Sequence, residues 1–127
     1  MTDTPDVIAL RPFVPAKDFD ASVRFYTDLG FEIRPLGDNL ASVQLGPFAF
    51  LLQNFDAPGF SGNFMMHLLV GDLESWWARI AALDLAARYG VRPPQPPKLQ
   101  PWGLTVAYVV DPTGVLWHFA QRPAPQT

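Results

Sequence analysis

The sequence predicts an α+β domain built from two copies of one βαβββ module, and three observations carry that prediction. Asp18-Phe19-Asp20-Ala21 and Asp72-Leu73-Glu74-Ser75 are matching helix starts, 54 positions apart. Each follows a short apolar stretch with strand character and is followed by further strand-like pieces. The last stretch, Trp102 to Gln121, reads as an apolar hairpin closed by Asp111-Pro112-Thr113-Gly114. On this plan the 127 residues form a single domain of two repeated modules, about 7–55 and 63–121, joined by a loop at 56–62.

In the first module, Val7 to Val14 reads as a strand closed by Pro12 and Pro15, with Arg11 on the face of Val7, Ala9 and Phe13. Asp18 is a helix N-cap; Phe19, Val23, Tyr26 and Leu29 follow at helical spacing, and Gly30 is the stop. Strands are expected at 31–36, 40–45 and 48–54, separated by Gly37-Asp38-Asn39 and Gly46-Pro47. On the last of them Ala49, Leu51 and Gln53 share one face, and Phe48, Phe50 and Leu52 the other.

The second module opens with Asn63 to Val70, which puts Met65, His67 and Leu69 on one face. Asp72 caps a helix carrying Leu73, Trp76, Ile80 and Leu83. Arg92 to Pro101 holds Pro93, Pro94, Pro96, Pro97 and Pro101. So many residues without a backbone donor make a stiff extended loop rather than a central strand, serving either as the rim of a cavity or as a plain connector. Leu104 to Val110 suits a strand covered on both faces, and Val115 to Gln121 is its return. Alternation along that return strand turns His118 away from Trp117 and Phe119 and sets it beside Leu116 and Ala120.

Composition narrows the function. Apolar residues make up 49% of the chain and aromatics 13%, enough for a thick core or an aromatic-lined cavity. The net charge of −3 comes with scattered basic residues, so there is no footprint for nucleic acid. No apolar run approaches the roughly 20 residues that span a bilayer. The start MTDTPDVIAL lacks the features of a signal peptide, so a cytoplasmic location with no membrane partner is expected. The absence of cysteine excludes disulfides, thiolate metal sites and cysteine nucleophiles. Nor is there a defensible Ser-His-Asp order, phosphate loop or zinc-helix motif.

The duplicated module, the two acidic helix starts and the ending "PWG…DPTG-x-LW" together resemble the vicinal oxygen chelate superfamily. That family includes glyoxalase I, extradiol dioxygenases, and fosfomycin- and bleomycin-resistance proteins. The resemblance covers about residues 7–121, and "PWG" and "DPTG" look most like the bleomycin-resistance or glyoxalase-related branch. It implies a curled mixed sheet around a cleft with the helices on the outside, and modules paired within a chain or exchanged between chains as a homodimer. It also implies that enzymes of the family hold a divalent metal through His and Glu on the first and last strand of each module. Transferred position by position, those slots fall near Arg11 and Gln53, and on Met65 (with His67 one pleat further) and His118. A guanidinium cannot ligate a metal, and a thioether suits hard divalent ions poorly. The expectation is therefore no cofactor; any metal would have to use His67, His118 and Gln53.

His118 can be read as a metal ligand, a general base, a hydrogen-bonding contact to a ligand, or a core histidine; His67 and Gln53 also have purely structural readings. Arg11 needs a ligand anion, a carboxylate such as Asp111, or solvent, because a buried unpaired guanidinium is expensive. Trp102 closes over a ligand or plugs the sheet end, and one of Trp76 and Trp77 is left for a subunit contact. Two functions follow, beside the bland alternative of a family member whose ligand site has decayed. The first is a non-catalytic binder that sequesters an aromatic or apolar small molecule through Arg11, Phe13, Phe50, Gln53, Met65, His67, Trp102, Tyr108 and His118. The second is a metal-dependent lyase, isomerase or dioxygenase.

Overall fold

The computed structural model describes residues 4–124. The first sheet contains β1 (Phe13–Ala16), β2 (Glu32–Pro35), β3 (Leu40–Leu45) and β4 (Phe48–Asn54), in the order β1-β4-β3-β2. The second contains β5 (Met65–Leu69), β6 (Gln95–Leu99), β7 (Thr105–Val110) and β8 (Leu116–Gln121), in the order β5-β8-β7-β6. In both, the first strand pairs parallel with the last and the other pairings are antiparallel. The repeat read from the sequence is therefore a repeat of topology. Neither sheet closes into a barrel.

Two helices cover the sheets. α1 (Phe19–Leu29) starts at Asp18, whose carboxylate accepts from the Ala21 backbone N–H at 3.1 Å, and ends at Gly30 with φ 101°. α3 (Leu73–Leu83) starts in the same way at Asp72, which accepts from the backbone N–H and hydroxyl of Ser75. Those contacts hold the Asp72 carboxyl below its ordinary pKa, the Ser75 hydroxyl contributing most. Two short helices were not expected: α2 (Pro58–Ser61) in the linking loop, and α4 (Leu85–Tyr89) after a left-handed Asp84 at φ 53°. Among the described residues no helix is long and apolar enough to cross a membrane.

The core lies where the helix-covered faces of both sheets meet. Phe25, Tyr26 and Leu29 of α1 join Phe31, Phe50 and Leu52 from the first module and Ile80, Val109, Trp117 and Phe119 from the second. Tyr26, Phe50 and Trp117 are mutual ring neighbours, with centroids 5.2 to 5.7 Å apart. A buried polar link runs through this cluster. Trp117 Nε1 donates to the Tyr26 hydroxyl at 3.0 Å, and that hydroxyl donates to Asp111 Oδ2 at 2.5 Å. Asp111 Oδ1 accepts from the backbone N–H groups of Thr113, Gly114 and Val115, each at 2.9 Å. The aspartate of the hairpin turn thus ties its own backbone and also locks α1 of one module to the hairpin of the other. Burial pushes the Asp111 carboxyl up against the pull of these donors; burial first, and then the Asp111 charge, raise Tyr26.

Three expectations need correction. β1 covers 13–16 rather than 7–14, and residues 4–12 form no strand. The Pro12 carbonyl still accepts from Leu51, but Pro12 has no N–H with which to extend the ladder. Val7, Ile8 and Leu10 are left exposed, the last two by 90% and 92%. The proline-rich stretch is not wholly loop, since Gln95–Leu99 forms β6. It takes the sheet edge, where missing donors are tolerated, and its register with β7 slips between Gln95 and Lys98 around the two prolines. Finally, Trp76 and Trp77 are both half-buried against the core, so neither is a freely projecting ring.

Candidate functional site on the second sheet

Strand alternation makes the two faces of β8 different surfaces. Trp117 and Phe119 point into the core; Leu116 and His118 point to the open side. Register then aligns a row across the sheet, because His118 lies opposite His67 on β5 and opposite Tyr108 on β7, and Tyr108 lies opposite Gln95 on β6. The ring centroids are 5.8 Å apart for His67 and His118, and 4.9 Å apart, edge to face, for Tyr108 and His118. Val110 and Leu116 sit one pleat along on the same face, and Arg92 and Pro93 form the approach to β6. His118, Tyr108 and Gln95 line with these four a cleft of about 350 Å³, while His67, at the end of the row, borders a separate apolar groove.

His118 is the unusual member of the row. Its Nε2 is buried and has no hydrogen-bond partner, an arrangement that costs about 1–3 kcal/mol unless something pairs with it. Burial chiefly, and His67 secondarily, lower its pKa below the ordinary 6.5. The imidazole is neutral at pH 7 and offers one donor and one acceptor nitrogen.

The nine residues expected to form one site are distributed unevenly. Met65, His67, Tyr108 and His118 share the open face of the second sheet. Phe13 and Gln53 belong to the first sheet, on adjacent strands. Phe50 is 1% exposed within the core and reaches only the apolar groove between the two modules, which His67 also borders. Arg11 is exposed in the segment before β1, so solvent satisfies its charge. Trp102 is exposed at the β6–β7 turn. Arg92, Pro93, Gln95, Val110 and Leu116 were missed as site residues. The reading of their proline-rich neighbourhood as a rim pointed to the first three, but β6 had to be paired before their alignment could be seen.

The donors do not suit a resident divalent metal. His67 and His118 are adjacent, but Gln53 is on the other sheet and no carboxylate joins them. Among the described residues no group of three or more His, Asp or Glu side chains could hold an ion. A larger hollow of about 720 Å³, near the start of α1 and the end of α4, is lined by Lys17, Asp18, Asp20, Arg24 and Arg88, charges of both signs.

The sequence profile of the Glyoxalase/Bleomycin resistance protein/Dioxygenase superfamily matches residues 7–119. A bleomycin resistance protein of Klebsiella pneumoniae is 31% identical over 115 residues, which cover 87% of this chain and 90% of that protein. Among solved structures, a bleomycin-binding protein in complex with bleomycin superposes with a TM-score of 0.76 at 27% identity, covering 90% of this chain and 98% of that one. The bleomycin-binding protein of Streptomyces verticillus, complexed with copper(II)-bleomycin, also gives 0.76, at 25% identity and 95% and 100% coverage. Matching topology, the match across both modules and the curated relative agree: the chain belongs to the glyoxalase/bleomycin resistance/dioxygenase superfamily, in its bleomycin-resistance branch.

Proposed function

We propose that this protein is a small-molecule binder that sequesters an aromatic or apolar ligand on the open face of its second sheet, without a catalytic metal, and acts as a homodimer. The observation that carries the reading is the row His67–His118–Tyr108, where an imidazole nitrogen is buried without a partner beside apolar walls. Aromatic edges and aliphatic side chains supply affinity by burial, and a few polar groups set orientation. Relatives that bind bleomycin make that compound the first ligand to try. The homodimer is supported by the open sheet faces and by the exposed Val7, Ile8 and Leu10, which a second copy would cover.

The adjacency of His67 and His118 is the one observation that favours the other reading, a metal-dependent lyase, isomerase or dioxygenase. One experiment separates the two. Zinc, nickel, manganese and iron are measured in the wild type and in His118→Ala, purified without chelator, and both are titrated with bleomycin. The binder reading expects no stoichiometric ion in either protein, and binding weakened by about 1–2 kcal/mol in the variant. One ion per subunit in the wild type, lost in the variant, overturns it.

A further inference from the structure

We propose that the cleft selects ligands carrying an anionic group, with Arg92 as the charge-reading residue and Gln95 and Tyr108 as its neutral partners. This rests on the binder reading above and adds the chemical class of the ligand. The four strands of the second sheet contain no Asp or Glu, in a protein whose net charge is −3. Arg92 lines the cleft, and no acidic residue lines it. Among the described residues the single ion pair joins Arg88 to Asp28, so the Arg92 guanidinium has no carboxylate partner. Lys98, opposite Val106 on the face that holds Tyr108, adds a second cation further along β6.

The polar groups at the cleft are also unspent. Among the described residues the Gln95 amide and the Tyr108 hydroxyl have no hydrogen-bond partner, in contrast to Tyr26 and Tyr89, whose hydroxyls both reach carboxylates. His118 Nε2 is likewise without a partner. A guanidinium presents paired N–H donors that match carboxylate, sulfonate or phosphate oxygens, and bonds to such ions are roughly twice as strong as neutral ones. Leu116, Val110 and Pro93 then take the apolar body. The anion contact once expected of Arg11 falls to Arg92, because Arg11 stands before β1, outside both sheets.

The test uses two probes that share an aromatic body: 1-anilinonaphthalene-8-sulfonate and its uncharged counterpart N-phenyl-1-naphthylamine. Affinities are measured by fluorescence at low salt. Binding is located by proton NMR of the imidazoles, which report on the cleft directly because the chain has only two histidines, both in the row. The sulfonate should bind about ten-fold tighter than the neutral probe, one charge-assisted contact's worth, while both shift the His118 resonances. Arg92→Gln should bring the ratio of the two affinities to about one, the sulfonate losing more than the neutral probe, whereas Arg92→Lys keeps part of the preference. Arg92 is exposed and outside the core, and an unchanged urea midpoint verifies the fold of each variant. Equal affinity for the two probes with both His118 shifts present overturns the charge inference and leaves the binder reading standing, as does a preference that survives Arg92→Gln. If neither probe moves the His118 resonances, the binder reading of this cleft falls, and the inference with it.

Discussion

Replacing Tyr26 with Phe removes a single oxygen, and the structure says how much stability should go with it. The hydroxyl donates to Asp111 at 2.5 Å and accepts from the Trp117 indole at 3.0 Å, and each partner is 1% exposed. The Phe ring fills the same space, so no cavity is made. What changes is that a buried carboxylate loses one donor and a buried indole N–H loses its acceptor. A hydrogen bond to a charged group contributes about 1.5–3 kcal/mol, and an orphaned buried donor costs about 1–3 kcal/mol. The two together give about 2.5–6 kcal/mol, a large part of the 5–15 kcal/mol typical of a domain. With a urea slope of roughly 1–3 kcal/mol per molar, the midpoint should fall by about 2 M. Tryptophan fluorescence and circular dichroism should report the same transition, since the link joins both modules into one core. A loss below about 1 kcal/mol, the size of an ordinary solvated hydrogen bond, refutes the reasoning.

Trp117→Ala should be the more severe core change, at about 3–5 kcal/mol with an open cavity, whereas Asp72→Ala loses only a solvent-exposed cap. Urea midpoints ranking them the other way would contradict the assigned faces of β8. The His118 imidazole should titrate below 6.5 in the NMR spectrum. Its folded pKa is lowered, so the unfolded chain binds more protons as pH falls through 6.5, and stability drops there. His118→Gln should flatten that slope between pH 7 and 5; an unchanged slope refutes it. In sedimentation at micromolar concentration the chain should run as twice 14.1 kDa, and removal of residues 1–10 should split that species. A 14.1 kDa species alone in the intact protein counts against the dimer.

The parts of the fold legible in the sequence are those fixed by local chemistry. The N-caps at Asp18 and Asp72, the left-handed stop at Gly30 and the Asp111 turn depend on residues within four positions of one another, and each occurs as read. Alternation along β8 was equally legible, because period two needs no knowledge of partners. What escaped was whatever depends on pairing. Pro12 ends β1 early, although its sequence context is apolar, and β6 is a strand despite Pro96 and Pro97 because an edge needs fewer donors. The site shows the same division. His118 and Tyr108 could be named as candidates from their own strands, while the place of Arg92 and Gln95 in the same cleft became visible only once β6 was set beside β7. Phe50 was placed on the face of Phe48 and Leu52 from alternation alone, but that this face packs on α1 and β8 and borders the groove between the modules emerged only from the packing.

A single peptide bond separates the residue that holds the two modules together from the residue at the centre of the cleft. Trp117 sends its indole N–H to Tyr26 on one side of the sheet, and His118 turns its imidazole to the other. The backbone of β8 is pinned by β5 on one edge and β7 on the other, and its turn by Asp111, so the imidazole is presented from a rigid strand. A duplicated module makes this arrangement attainable. One face of each sheet goes to the shared core, and the opposite faces are free to take different side chains. The first sheet puts Gln53 and Leu51 on its open face, and the second puts His67, His118 and Tyr108 there. Variants meant to probe binding should therefore come from the open face, at Arg92, Gln95 or His118, where a change in affinity can be measured on a fold whose stability is set by residues one step along the strand.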